Sequence, residues 1–283
     1  MRRAGSGVAP ISVRNYPGDR PILRGRGTAA HPLEVAGSAS YVRFRGLVFA
    51  GATGYRTTNI YVSGSADHIE FNNCVSRDSE GQGLFSDSGT SSIRVIGCYF
   101  HDNGGGEALN QGHNLYLEGS RHVIVNNLIV GAKRGFGIQL YPASDRVVIA
   151  SNTLVANRKD GILIGSDGPG TTTNAIVVNN ILAFNGRYGL STYWGGAIGT
   201  GNYAINNLAW GNRSGGMSVG GVSVLGAKSG NPRFVDRRKR NFRLEADSAA
   251  RDKALGSLSP GSDYRGLRRP QGPGDDIGAF ERR

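Results

Sequence analysis

Hydrophobic positions in this chain fall in short alternating runs, never in helical stripes. One phrase recurs: a few alternating apolar residues, then Asn or Gly. It reads Val42-Arg-Phe44-Arg-Gly46, Ile69-Glu-Phe71-Asn-Asn73, Ile93-Arg-Val95-Ile-Gly97 and Val123-Ile-Val125-Asn-Asn127. It continues as Val147-Val-Ile149-Ala-Ser-Asn152, Ile176-Val-Val178-Asn-Asn180 and Tyr203-Ala-Ile205-Asn-Asn207, with a mean spacing of about 27 residues. Each repeat holds a second alternating piece, such as Ile60-Tyr-Val62, Leu115-Tyr-Leu117, Ile138-Gln-Leu140 and Ile162-Leu-Ile164. Period two and β-branched content predict strands. Several short strands per repeat, joined by turns of variable length, predict a stacked β-coil of about eight turns. A β-sandwich has no reason to keep such a period.

In a stack, equivalent positions of successive coils are neighbours about 4.8 Å apart. Counting from the anchors 46, 73, 97, 127, 152, 180 and 207 therefore predicts columns. The residues one further on (Leu47, Cys74, Cys98, Leu128, Thr153, Ile181, Leu208) read as an inward column. Cys74 and Cys98 are then core neighbours, at a spacing that would allow a disulfide. A turn further on runs from acidic (Asp78, Glu80, Asp102) to basic (Lys133, Arg134, Arg158, Lys159, Arg187). Such a row of cations suits a solvated turn or a cleft for a polyanion. On the strand after it, Tyr61, Phe85, Tyr116 and Gln139 should point outward, followed by Asp87, Glu118, Tyr141 and Tyr193 in the next outward set. Exposed aromatics suit sugar stacking but also simply favour strands.

These repeats, with their recurrent Asn, resemble the right-handed parallel β-helix of the pectate-lyase-like superfamily, over residues 8–225. Residues 8–24 look like a first coil, shortened at its start. The tail from Asn231-Pro-Arg-Phe-Val to Asp276-Ile-Gly-Ala-Phe-Glu281 is similar to the closing segment of secreted bacterial β-helix proteins. The resemblance implies an all-β right-handed parallel β-helix over residues 1–226. It also implies a C-terminal cap segment, residues 227–283, packed on that helix. An extracellular or periplasmic carbohydrate-active protein is expected, although no signal peptide is visible in the sequence.

The candidate chemistry centres on the longest coil. Its insert, Gly104-Gly-Gly-Glu-Ala-Leu-Asn-Gln-Gly112, leads into His113-Asn-Leu-Tyr116-Leu-Glu118. Inserts in solenoids often build one wall of a binding face. The leading expectation is a polysaccharide lyase acting on an acidic, uronate-containing polysaccharide. His113 would be the base, Tyr116 would assist the leaving oxygen, and Lys133 or Arg134 would neutralise the uronate. Arg158, Lys159, Arg187, Gln139, Tyr141, Tyr193 and Glu118 would bind substrate. Asp78, Glu80, Asp102 and Glu107 could chelate Ca²⁺, which wants several oxygens. Two alternatives stand beside it: a non-catalytic module binding an acidic glycan, and a glycoside hydrolase using Asp78, Glu80, Asp87 or Glu118. The Asn-Thr-Asp, Asp-Asp and Gly-His-Gly set of hydrolases on this fold is reduced to Gly112-His113-Asn114, and the Asp-Pro-His motif of alginate C5-epimerases is missing.

Composition narrows the field. Of 283 residues, 45 are Gly and two are Cys. Gly is thus roughly twice as common as usual, without the Gly-X-Y period of collagen, and two Cys make neither a disulfide scaffold nor a Cys-based zinc site. No run is long enough to span a membrane as a helix. The net charge of +12 is uneven: residues 1–26 carry six Arg and one Asp, and residues 227–283 carry fourteen bases and eight acids. The middle is nearly neutral, which ranks nucleic acid last among partners. A monomer is expected.

Overall fold

The computed structural model describes residues 1–25, 31–54, 57–167, 170–192 and 197–283. Among the described residues the repeats form three parallel sheets of nine, nine and eight strands, each coil but the last contributing one strand to each sheet. The first sheet runs from Ile11–Arg14 to Val222–Leu225, the second from Ile22–Arg24 to Lys228–Ser229, and the third from Leu33–Val35 to Gly215–Ser218. Strands pair in simple register along the axis, for example Ile60↔Leu84↔Leu115↔Ile138↔Ile162↔Leu190 on the third sheet.

Alternation places one set of side chains inside the coil. Val42, Phe44, Ile69, Phe71, Val95, Ile124 and Ile149 meet Phe49, Phe100, Ile129 and Leu154, and Leu84, Leu115, Leu117, Ile138, Leu140 and Ile162 close the third side. The core repeats like residues upon like: Phe44 stacks on Phe71 with ring centroids 5.2 Å apart, and Phe49 meets both edge-on.

The coil's corners depend on backbone in the left-handed region. Gly46, Asn73, Gly97, Asn126, Ser151, Asn179, Asn206 and Gly226 all have φ between 51° and 68°, where Gly and Asn are the cheapest residues. The next residue turns inward. There Asn127, Asn152, Asn180 and Asn207 form a buried ladder in which the backbone N–H of each of the first three donates to the following coil's side-chain oxygen at 2.8–3.0 Å. Cys98 and Cys74 occupy the same slots in the earlier coils: the Cys98 N–H donates to Asn127 Oδ1 (2.8 Å), and the Cys74 N–H lies 3.4 Å from the Cys98 sulfur. Both thiols are free and buried. A second ladder, Asn103, Asn157, Asn185 and Asn212, lines the corner between the second and third sheets.

This register corrects the column count. Anchors 46, 73 and 97 are left-handed corner residues, whereas 127, 152, 180 and 207 are ladder residues one position later. Cys74 and Cys98 therefore align with Asn127. Leu128, Ile181 and Leu208 align instead with Val48, Val75 and Tyr99, on the outward face of the second sheet.

Those outward residues are buried by the C-terminal segment. Leu128, Val130 and Val155 pack on Phe242, Ala279 and Phe280, and Ile181, Ala183 and Leu208 on Leu244, Ala250 and Ile277. Corner asparagines fasten it: Asn126 Nδ2 donates to the Ser262 carbonyl (2.5 Å) and Asn206 Nδ2 to that of Lys253 (2.8 Å), while Asn179 Oδ1 accepts the Leu255 N–H (3.1 Å). Inside the segment, Arg269 and Glu281 form a fully buried pair at 2.9 Å. The segment lies along the flank of the helix and leaves the end of the last coil open, where inward-facing Val224 is 39% exposed.

Candidate functional site

The third sheet's outer face and the 104–112 insert enclose a cleft of roughly 420 Å³, lined by Gln82, Phe85, Glu107, Asn110, Gln111, His113, Tyr116, Glu118, Gln139 and Tyr141. Strand alternation explains the set. Phe85, Tyr116 and Gln139 pair in register, and Glu118 and Tyr141 point outward two residues further along their strands. The insert closes on itself where Gly104 meets Gly112; a Cβ on either would lie within 2.6 Å of the other's backbone. It rests on the next coil through the Asn110 N–H, which donates to the Arg134 carbonyl (2.8 Å).

Tyr61, Phe85 and Tyr116 form a continuous stack, with centroids 5.4 and 4.9 Å apart and planes within 25° of parallel. Their faces cover one another, so the stack offers edges and hydroxyls to the cleft, and the expected sugar stacking on ring faces has little open area here. Each hydroxyl finds a carboxylate. Tyr61 donates to Asp87 (2.8 Å), Tyr141 donates to Asp167 (2.6 Å), and Tyr116 hydrogen-bonds Glu118. Burial and these carboxylates push the Tyr61 and Tyr141 phenols up to about 12. Tyr116, raised further by burial and by Glu118, stays protonated at any ordinary pH.

Glu118 is the group whose proton affinity reaches neutrality. Burial first, and the charge of Asp87 second, raise it to about 7, against hydrogen bonds from Tyr116 and the Ser88 backbone that favour its anion. Asp87 and Glu118 follow the paired residues Ser86 and Leu117 on adjacent coils. Two carboxyl groups thus lie on neighbouring coils of the same sheet.

His113 is placed otherwise than a free base requires. It is buried, and its Nδ1 accepts the Phe136 N–H at 3.1 Å, so the ring proton sits on Nε2. It bonds Gln139 and stacks on Phe136, and burial pushes its affinity down to about 3. The basic row does not line the cleft. Lys133, Arg134 and Arg158 are exposed on the turn, with the Lys133 stem against Gly105. Lys159 is half-buried there. Arg187 grips the buried Asp160 carboxylate through two bonds of 3.1 Å, and Asp160 also accepts the Ser191 hydroxyl at 2.6 Å. Tyr193 lies outside the described residues.

The four candidate calcium ligands are not brought together. Asp78 pairs with Arg77, and Glu80 accepts the Gly54 N–H. Asp102, on a left-handed corner, faces the C-terminal segment. Burial opposes its ionisation, yet bonds from Arg240 (2.6 and 2.8 Å) and His101 hold it down to about 2. Glu107 alone is in the cleft wall. Among the described residues no three His, Cys, Asp or Glu side chains gather as a metal site; Asp78, Glu80 and Asp102 are engaged by protein groups instead. Gln82, Asn110 and Gln111, which carry no sequence signal, complete the cleft.

A model described as the right handed beta helix region matches residues 33–225. The chain belongs to this right-handed β-helix family. No curated protein sequence matches it significantly. Among solved structures, the β-helix is similar to pectate lyase Pel9A, at 15% identity and a TM-score of 0.70, over 100% of this chain and 82% of that one. It is similar also to the A-module of the Azotobacter vinelandii mannuronan C-5 epimerase AlgE6, at 18% identity and a TM-score of 0.57, over 75% and 58% of the two chains. The periplasmic alginate epimerase AlgG matches at 14% identity and a TM-score of 0.57, over 74% and 57%. At these identities the likeness is one of fold. No helix among the described residues is long and apolar enough to cross a membrane.

Proposed function

We propose that this β-helix cleaves glycosidic bonds of a polysaccharide in the third-sheet cleft, with Glu118 as the proton-transfer group and Asp87 as its partner carboxylate. The observation that carries this reading is the Glu118 carboxyl, held protonated up to about pH 7 beside Asp87 in a cleft walled by the insert. A general acid is most effective when its affinity lies near the working pH, and glycoside hydrolysis uses a pair of carboxyl groups flanking the scissile bond. The polysaccharide class is supported by the names of the pectate- and alginate-processing enzymes that share the fold. The cleft lining carries carboxyls and no Lys or Arg, which favours a substrate that is uncharged at the scissile bond, and hence hydrolysis.

A second reading is favoured by the exposed cations Lys133, Arg134 and Arg158 beside the insert. It is β-elimination on a uronate polymer, in which ionised Glu118 takes the C5 proton and Tyr116 protonates the leaving oxygen. One assay separates the two: incubation with neutral and acidic polysaccharides, read both for new reducing ends and for the ultraviolet absorbance of unsaturated uronate. Reducing ends without absorbance support hydrolysis, and both signals together support elimination. Neither signal on any polysaccharide overturns the proposal. Glu118→Gln should lower either activity by roughly 10²–10⁴-fold.

A further inference from the structure

The outer face of the first sheet, a different sheet from the one that bears the cleft, carries a charge cluster. Strand alternation buries Phe44, Phe71 and Val95, half-buries Val13, and turns Arg14, Arg43, Arg45 and Arg94 outward. Arg14 and Arg45 pair directly in register, as do Ser12 and Arg43, and Glu70 is flanked by Arg43 on one coil and Arg94 on the next. Four guanidinium groups thus sit within four successive coils, on backbone that the stack holds rigid. Arg14, Arg43, Arg45, Glu70, Ser12 and Asn72 line a recess of roughly 590 Å³.

Like charges directly opposite each other on neighbouring strands repel. Here the described residues provide one counter-charge, Glu70, whose recorded ion pair is with Arg94 at 3.6 Å. Further along the same columns the outward residues are Val123, Val148 and Ile176, so the arginines are concentrated at one end and not spread as a solvated coat.

We propose that Arg14, Arg43, Arg45 and Arg94 form an anchoring site for an acidic polysaccharide, on a different sheet from the cleft. Guanidinium groups bind carboxylates with two parallel hydrogen bonds. In-register arginines repeat at the coil spacing of about 4.8 Å, so a polymer lying along the axis can engage several at once, and each further contact is gained at high effective concentration. The recess exposes no aromatic ring, because Phe44 is buried, and so lacks the stacking surface with which proteins hold single-stranded nucleic acid. The site does not depend on the cleft's chemistry.

The test is affinity electrophoresis of the full chain in gels containing polygalacturonate, with duplex DNA as a second matrix. Wild-type protein should be retarded by the glycan, and R14S/R43S/R45S should bind at least tenfold more weakly. R238S/K239S/R283S, which removes the same charge from the C-terminal segment, should bind as wild type does, and Glu118→Gln should be retarded normally. The single variant R45S, with an unchanged thermal melt, should weaken retardation in the same direction. Equal loss in both triple variants would reduce the effect to net charge and overturn the site. So would an absence of retardation, or DNA binding as tight as glycan binding and lost in the same variant.

Discussion

The Phe136 N–H donates to His113 Nδ1 at 3.1 Å, and that contact decides what the imidazole does. A ring nitrogen engaged by a buried backbone donor cannot also receive a substrate proton. His113→Ala should strand the Phe136 N–H and cost about 1–3 kcal/mol of stability, read by urea unfolding. The pH dependence has a definite sign. The folded affinity, about 3, lies below the ordinary 6.5, so the unfolded chain binds more protons in between. Stability should therefore fall as pH drops from about 6.5 toward 3, and the His113→Ala variant should lack that part of the slope.

Glu118 behaves in the opposite way. Its folded affinity is raised from 4.5 to about 7, so the folded state binds the extra proton. Stability should decline as pH rises from about 4.5 through 7 and then level off. Glu118→Gln should flatten this decline while lowering activity. Melting temperatures measured across that range check it, and a slope identical in wild type and variant would count against the assignment.

Asp102 and Arg240 join the helix to its C-terminal segment. Since Asp102 is lowered from 3.8 to about 2, its contribution is complete above about pH 3.8 and is lost as pH falls through 2. Arg240 is 41% exposed, so screening limits the pair, and Arg240→Ala should cost roughly 1 kcal/mol near neutrality. Chemical denaturation at neutral pH and at pH 2 should show a difference in the first and little in the second.

Asn152 is the middle of the buried ladder. Its Oδ1 accepts both the backbone and side-chain N–H of Asn127 (2.8 and 2.9 Å), and its Nδ2 donates to the Ile124 carbonyl and to Asn180. Asn152→Ala leaves buried donors and acceptors unmet on both neighbouring coils. A loss of about 2–4 kcal/mol is expected by denaturant titration; a loss under 1 kcal/mol would mean that the ladder matters little.

The coil and its strands were legible because alternation and a period near 27 survive in every repeat. The register was less so. Asn126-Asn127, Asn179-Asn180 and Asn206-Asn207 each place one Asn on the left-handed corner and one in the ladder, and the sequence does not mark which is which. Asn73 is a corner residue whose ladder slot is held by Cys74. The flanking role of residues 227–283 was hidden for a related reason, since Leu128 and Ile181 look like core from either side of the sheet. At the site, Tyr116, Glu118, Gln139 and Tyr141 followed from strand alternation alone. What could not be read was which polar groups become buried: the identity of His113 suggests a base, and in the structure it is buried with Nδ1 engaged by the Phe136 N–H.

The 104–112 insert has a consequence for how such a protein can change. Along the axis, the rise per coil is set by strand pairing and the asparagine ladder. Around the perimeter, a turn can bulge outward between its two attachment points, here Gly104 and Gly112, with only a few bonds to neighbouring coils, such as the Asn110 N–H to the Arg134 carbonyl. Perimeter and rise are thus uncoupled. The cleft wall can be lengthened, shortened or replaced while neighbouring coils keep their places, so the shape of this cleft can drift with little cost to the folding of the scaffold.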